Sequence, residues 1–201
     1  MNLNERFRAF LPVVVDIETG GVDATKHALL EMAIVLLRWE NDALHPDVAY
    51  TWNIEPHPDT NITEKSIELT HIDPADTERS TVDEETAVRE CFRIVQRRVK
   101  EAECRRGVLT GHNAHFDYGF IRAAIARNGI GRSANPFHPF TVLDTASMGA
   151  VAVGHTVLHE IAHRLDIEYD KSEAHSARYD AEITARVFCA IVNRANYSVG
   201  G

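Results

Sequence analysis

The chain has 201 residues, 44% hydrophobic and 25% charged, with 21 Lys and Arg against 30 Asp and Glu for a formal charge of −9. That balance suits one globular α/β-sized domain over residues 1–201. It excludes a protein built on membrane-spanning helices, because no stretch reaches the roughly 18 consecutive apolar residues that a span requires. It also excludes a uniformly basic polyanion binder, since phosphate binding runs on Lys and Arg, so any cationic surface must be local.

The N-terminus, MNLNERFRAFLPVVVD, lacks the long apolar stretch and small-residue cleavage site of a signal peptide. Cys91, Cys104 and Cys189 are widely spaced and form no C-x-x-C pair. They are expected to be reduced thiols of a cytoplasmic protein, neither a disulfide frame nor a zinc site. Basic residues bunch at Arg6 and Arg8, and again at Arg89, Arg93, Arg97, Arg98, Lys100, Arg105 and Arg106. The second bunch also fits the solvated face of a mixed-charge helix.

In chain order, residues 11–17 (LPVVVDI) are a β-branched apolar run, the pattern of a strand buried on both faces. Thr19-Gly20-Gly21 ends it in a turn. Residues 28–38 (ALLEMAIVLLR) and 48–55 (VAYTWNIE) read as further strands, although Ala, Leu and Met in the former also suit a helix. Residues 82–104 are the clearest helix, with Val88, Cys91, Phe92, Val95, Val99 and Ala102 at three- and four-residue spacing and Ser80 or Thr81 as cap. GVLTGHN is a strand ending at Gly111, residues 117–128 a helix closed by Gly129, and residues 140–143 a short strand. Helices are expected at 144–153, 156–165 and 178–194. Three strands feeding alternating helices and strands predict a mixed-sheet α/β domain with its chemistry at strand ends.

Asp16 and Glu18 lie two apart on a strand, so both carboxylates project from one face, where hard oxygens suit Mg²⁺. The D-x-E pattern recurs at Asp76/Glu78, Asp83/Glu85 and Asp166/Glu168, so spacing alone carries no signal. The buried run before the first copy and the Gly-Gly turn after it set that copy apart. Two buried carboxylates are costly unless a metal or an Arg neutralises them. GHNAHFDYGF (111–120) puts Asp117 in the first turn of a helix, where the dipole alone favours a carboxylate. AHSARYDAE (174–182) puts His175 five before Asp180, a spacing repeated at His71/Asp76 and His112/Asp117. A surface histidine at a helix entry fits it equally.

Order converts these weak signals into a strong one. D-x-E-T-G-G, then H-N-x-x-F-D, then H-x₄-D opening the C-terminal helix resembles the DEDDh exonucleases, an RNase H-like family. RFRAFLPVVVDIETGG, ALLEMA, IDPAD, GHNAHFD, NPFHPF with LDTA, AHSARYDAE with TARVFC, and IVNR extend the likeness over nearly the whole chain. They resemble its ribonuclease T branch, and NPFHPF discriminates most.

That resemblance implies an RNase H-like mixed five-stranded sheet flanked by helices. It implies a cytoplasmic 3′-to-5′ exoribonuclease that trims the single-stranded 3′ ends of tRNA and other structured stable RNAs, and also single-stranded DNA. The products are nucleoside 5′-monophosphates. Asp16, Glu18, Asp117 and Asp180 are then the ligands of two Mg²⁺ ions, with Mn²⁺ able to substitute, Asp16 bridging both. Glu18 and Asp180 complete one site, and Asp117 serves the other. His175 takes the proton from the attacking water, a task suited to an imidazole near neutral pH. Phe116 and Phe140 stand where the family places phenylalanines around terminal bases, although core packing explains them too. Val22 and Leu69 stand where it carries two more, and Lys65 where it carries Glu. Base stacking contributes about 1–3 kcal/mol per base, so base discrimination, including reluctance to pass terminal cytosines, is expected to differ here. The resemblance further implies a homodimer in which a basic segment of one subunit, holding Arg6, Arg8, Lys100 and Arg106 with Arg105 and Arg132 nearby, faces the other's active site.

Asp144 is expected to cap a helix, and His112, His115 and His138 to be structural or substrate-lining, since Mg²⁺ prefers oxygen. The competing readings are another DEDDh enzyme (an oligoribonuclease or a DNA proofreading subunit), a catalytically silent nucleic-acid-binding module on the same fold, and a metal phosphatase.

Overall fold

The structure is a computed structural model that describes residues 2–76 and 78–195. Its centre is β1 (Phe10–Thr19), whose Leu11, Val13, Val14 and Val15 are fully buried, as a β-branched run covered on both faces requires. β2 (Leu29–Glu40) runs antiparallel to β1, and β3 (Ala43–Asn53) antiparallel to β2. β4 (Arg106–Gly111) and β5 (Phe137–Asp144) extend the other side in parallel, giving the order β3-β2-β1-β4-β5. The expected mixed five-stranded sheet is therefore present, flanked by helices.

The segment that was ambiguous between strand and helix is β2. Leu29, Leu30 and the run from Met32 to Leu37 are all buried, and a continuous apolar run covered on both sides belongs to a sheet interior. Its hairpin turns through Asn41 and Asp42, both left-handed at φ 51° and 58°. That two-residue geometry matches the twist of the flanking strands, and Asn and Asp tolerate it.

Seven α-helices appear among the described residues: α1 (Leu3–Arg6), α2 (Glu64–Thr70), α3 (Glu84–Glu101), α4 (His115–Arg127), α5 (Thr145–Val153), α6 (Leu158–Arg164) and α7 (Ala177–Arg194). α3 buries Val88, Cys91, Phe92 and Val95 of the predicted stripe, together with Ala87, while Val99 and Ala102 at its end are only partly buried. Its cap, however, is Asp83, whose side chain accepts from the Thr86 amide, and not Ser80 or Thr81. α1 and α2 escaped prediction because helices of four and seven residues are too short to show a period. β5 starts at Phe137, three residues earlier than expected, since Phe137 is buried against Phe92 and Tyr118.

α7 lies against β1, β2 and β3, while α3 and α4 pack together and against β1 and β4. Buried Glu84 at the start of α3 takes two hydrogen bonds from Arg127 and one from Asn128, which joins α3 to the end of α4. After β1 the chain turns so tightly that a side chain on Gly20 would sit 2.8 Å from the Asn61 carbonyl, a close approach that only glycine permits.

Candidate active site

The carboxyl ends of β1 and β4 and the amino ends of α4 and α7 meet at one cleft of about 850 Å³. Asp16 and Glu18 line it from one face of β1, as the period of two demands. Asp117, in the first turn of α4, is only 4% exposed and accepts hydrogen bonds from its own amide and that of Ile17. Asp180 reaches the cleft from the first turn of α7. His175 stands just before that helix, exposed, in a left-handed conformation at φ 65°. Its amide donates to Asp180 Oδ2 at 3.0 Å, so residue 175 is tied to the helix it precedes.

The electrostatics are those of a cluster short of positive charge. Burial pushes Asp16 well above the usual carboxylate range, and the charges of Asp117, Asp180, Glu18 and Glu31 push the same way. Burial raises Glu18 to about 8, reinforced by Asp180 and Glu31. Asp117 is raised by burial against the pull of its amide donors, and Asp180 by burial against the amide and imidazole of His175. Buried Asp180 Oδ1 has no hydrogen-bond partner, the state of an oxygen whose partner is not a protein group. One ligand atom each from Glu18, His175 and Asp180 lie within 4.8 Å of one another. A set of carboxyl oxygens, one of them orphaned, fits a hard divalent cation.

Asp16, Glu18, Asp180 and His175 thus line one cleft, with Asp117 buried beside them and acting electrostatically on Asp16. The other D-x-E pairs are elsewhere; Asp83, for one, caps α3. Phe116 and Leu69 also line the cleft. Val22 is 84% exposed beyond the Gly-Gly turn, and Lys65 is exposed on α2. Phe140 is 88% exposed on β5 and packs on the His138 ring, outside the lining of this cleft.

Arg106 opens β4 opposite Phe10, and the Arg105 amide donates to Ala9. Arg8 is exposed just before β1, Lys100 is exposed near the end of α3, and Arg6 lies over the Phe7 ring. Exposed Arg132 sits in the short turn before β5. Arg6, Arg8, Arg105 and Arg106 therefore gather at the start of β1, whereas the carboxylates sit at its end, roughly 20 Å along the strand.

Asp144 does cap α5, accepting from the Ala146 and Ser147 amides, and its second oxygen accepts from Ala114 at the head of α4. His112 Nδ1 meets Thr145 Oγ1 at 2.9 Å, His138 Nδ1 accepts amides of its own turn, and His115 is exposed at the start of α4. Sequence reasoning missed the opposite wall of the cleft: Thr156, Val157, Leu158 and His159 at the α5–α6 turn, with Tyr169 and Lys171. No spacing marks these residues, because chain crossings alone bring them there.

An exonuclease family model matches residues 13–188. Ribonuclease T of Hahella chejuensis is 46% identical over 193 residues, 96% of this chain and 88% of that one. Among solved structures, the nuclease domain of 3'hExo, a DEDDh family member bound to rAMP, aligns with a TM-score of 0.72 at 16% identity, over 92% of this chain and 93% of its own. E. coli Exonuclease I, in complex with a dT13 oligonucleotide, gives 0.71 at 15% identity over 92% of this chain, which spans 41% of that enzyme. The two structures establish the RNase H-like fold, and the family model and sequence identity establish more: the chain belongs to the ribonuclease T family of exonucleases.

Proposed function

We propose that the chain is a 3′-to-5′ exoribonuclease that trims the 3′ ends of tRNA and other structured stable RNAs, acts also on single-stranded DNA, and releases nucleoside 5′-monophosphates. The observation that carries this reading is the convergence of Asp16, Glu18 and Asp180 with His175 on one cleft, Asp117 adjoining. Asp16, Glu18, Asp117 and Asp180 would hold two Mg²⁺ ions, or Mn²⁺ in their place. Such a pair supplies stabilisation of charge on the attacking and leaving oxygens of an in-line displacement.

His175 is the general base. Its ring is exposed to the cleft yet within 4.8 Å of Glu18 and Asp180 oxygens, so it can take a proton from water beside the carboxylates. Phe116 and Leu69 grip the terminal bases from the cleft wall, Val22 from the turn beyond β1 and Phe140 from the sheet margin. The bound oligonucleotide and rAMP of the two structural neighbours support a single-stranded end as ligand.

Assembly as a cytoplasmic homodimer answers the charge problem. Within one subunit the basic end of β1 is too far from the carboxylates to hold the same few nucleotides. A partner's Arg6, Arg8, Lys100 and Arg106, assisted by Arg105 and Arg132, can reach them. Sedimentation alongside activity tests this, since a fully active monomer on tRNA would exclude it. The defining experiment incubates the protein with Mg²⁺ and matched RNA and DNA carrying 3′ tails. Metal-dependent release of 5′-monophosphates from the 3′ end is expected, and internal cleavage or metal-independent release would overturn the reading.

A further inference from the structure

The helix that carries Asp180 has no cap of its own. Ser176 stands at the N-cap of α7, but its side chain makes no capping hydrogen bond. Helix starts leave amides unsatisfied, and a side-chain acceptor usually takes one. Here the acceptor comes from the sheet: Glu31 Oε2 receives the Ala177 amide at 3.1 Å, across 146 residues of sequence. We propose that Glu31 is a positioning residue, a cap supplied in trans by β2 that sets the entry of α7 and so places the base His175 over the cleft.

Three observations support the assignment. Glu31 is the β2 residue paired with Glu18 in the β1–β2 register, so the same sheet position sets both the Glu18 carboxylate and the α7 anchor. Glu31 itself does not line the cleft. Burial raises the Glu31 carboxyl, and the Ala177 amide and the nearby Arg79 guanidinium pull the other way. Arg79 is itself held by the Leu30 carbonyl at 2.6 Å and the Ile54 carbonyl at 3.4 Å.

The mechanical need is clear from the segment that precedes α7. Lys171, Ser172, Glu173 and His175 are all exposed, so little packing fixes the base from its N-terminal side. Its order comes from the helix: the His175 amide bonds to Asp180, the Asp180 amide bonds to the Ser176 carbonyl at 2.9 Å, and Ala177 is fully buried. Glu31 takes the Ala177 amide, one of the donors that the first turn of the helix cannot satisfy from its own carbonyls. A misplacement of about an ångström in a reacting group costs on the order of 100-fold in rate.

This inference rests on the nuclease reading with His175 as base. The test measures kcat and KM on a 3′-tailed RNA, Mn²⁺ affinity by calorimetry, and melting temperature for Glu31→Ala, Glu31→Gln and Ala177→Pro. Gln keeps an acceptor oxygen but no charge. Pro is accommodated at the first helical position and removes the donated N–H while leaving the carboxylate. Glu31→Ala is expected to lose roughly 10- to 100-fold in kcat with KM and Mn²⁺ affinity within about threefold. Glu31→Gln should recover kcat to within about threefold of wild type, and Ala177→Pro should reproduce the loss, with the double variant no worse than either. Equal losses in Glu31→Ala and Glu31→Gln, a collapse of Mn²⁺ affinity in both, or wild-type kcat in Ala177→Pro each overturns the proposal. If Glu31→Ala does not fold, Glu31→Gln and Ala177→Pro decide the matter. A wild-type protein that hydrolyses nothing refutes the nuclease reading instead, so the two failures are distinct.

Discussion

Replacing Glu18 with Gln in the metal-free protein should make it more stable at neutral pH, although it removes a site carboxylate. Burial and the charges of Asp180 and Glu31 lift Glu18 from 4.5 to about 8. At pH 7 the folded protein therefore retains a proton that the unfolded chain releases. A carboxyl raised in this way contributes stability that is fully present below pH 4.5 and is lost as pH rises through about 8. Holding the proton at pH 7 costs about 3 kcal/mol, an upper figure because neighbouring carboxylates relax as Glu18 changes state. Gln keeps the shape and hydrogen-bonding capacity and carries no such penalty. For a chain of this size each kcal/mol moves the melting temperature by about 2–4 °C, so Glu18→Gln should melt several degrees higher at pH 7 in chelator. The gap should close by pH 4, where Glu18 is protonated in both states. Added Mg²⁺ should stabilise the wild type by about 4.1 kcal/mol at about 1,000 times its Kd and the variant by much less, reversing the order. Calorimetric melts over pH 4–8, with chelator and with Mg²⁺, give the answer. A variant that melts at or below wild type in chelator at pH 7, or a gap that persists at pH 4, refutes the reasoning.

His175→Ala should lower the hydrolysis rate by about 100-fold or more while leaving Mn²⁺ affinity by calorimetry nearly intact; collapse of that affinity would make His175 a ligand. Arg127→Ala strands buried Glu84 without its guanidinium partner and should cost about 3–5 kcal/mol in urea unfolding. A loss below 1 kcal/mol would mean that Asn128 alone satisfies the carboxylate. On RNA oligonucleotides ending in C or in A, the rates should differ less than stacking aromatics at all four rim positions would give, because Val22 and Leu69 replace two of them. Val22→Phe should widen the difference, and a strong wild-type arrest at terminal C would refute the idea.

How much of this was legible from residues alone depends on the range of the interaction. β1 was legible because a β-branched apolar run is buried whatever packs on it, and α3 because its stripe repeats through 18 residues. The helix–strand ambiguity of β2 had no local answer; only cover from both sides made it a strand. α1 and α2 were too short to carry a pattern.

The site divides in the same way. The residues of each motif, and the shared face of Asp16 and Glu18, follow from covalent spacing and the period of a strand. That four D-x-E copies yield one pair lining the cleft, that Asp180 Oδ1 is left without a partner, and that Glu31 caps a helix 146 residues away follow from strand register and helix docking. The far wall of the cleft and the separation of basic and acidic ends of β1 belong there too. The physical reason is that local propensity acts over a few residues, whereas burial, charge–charge coupling and trans-capping act between segments that only the folded chain brings together.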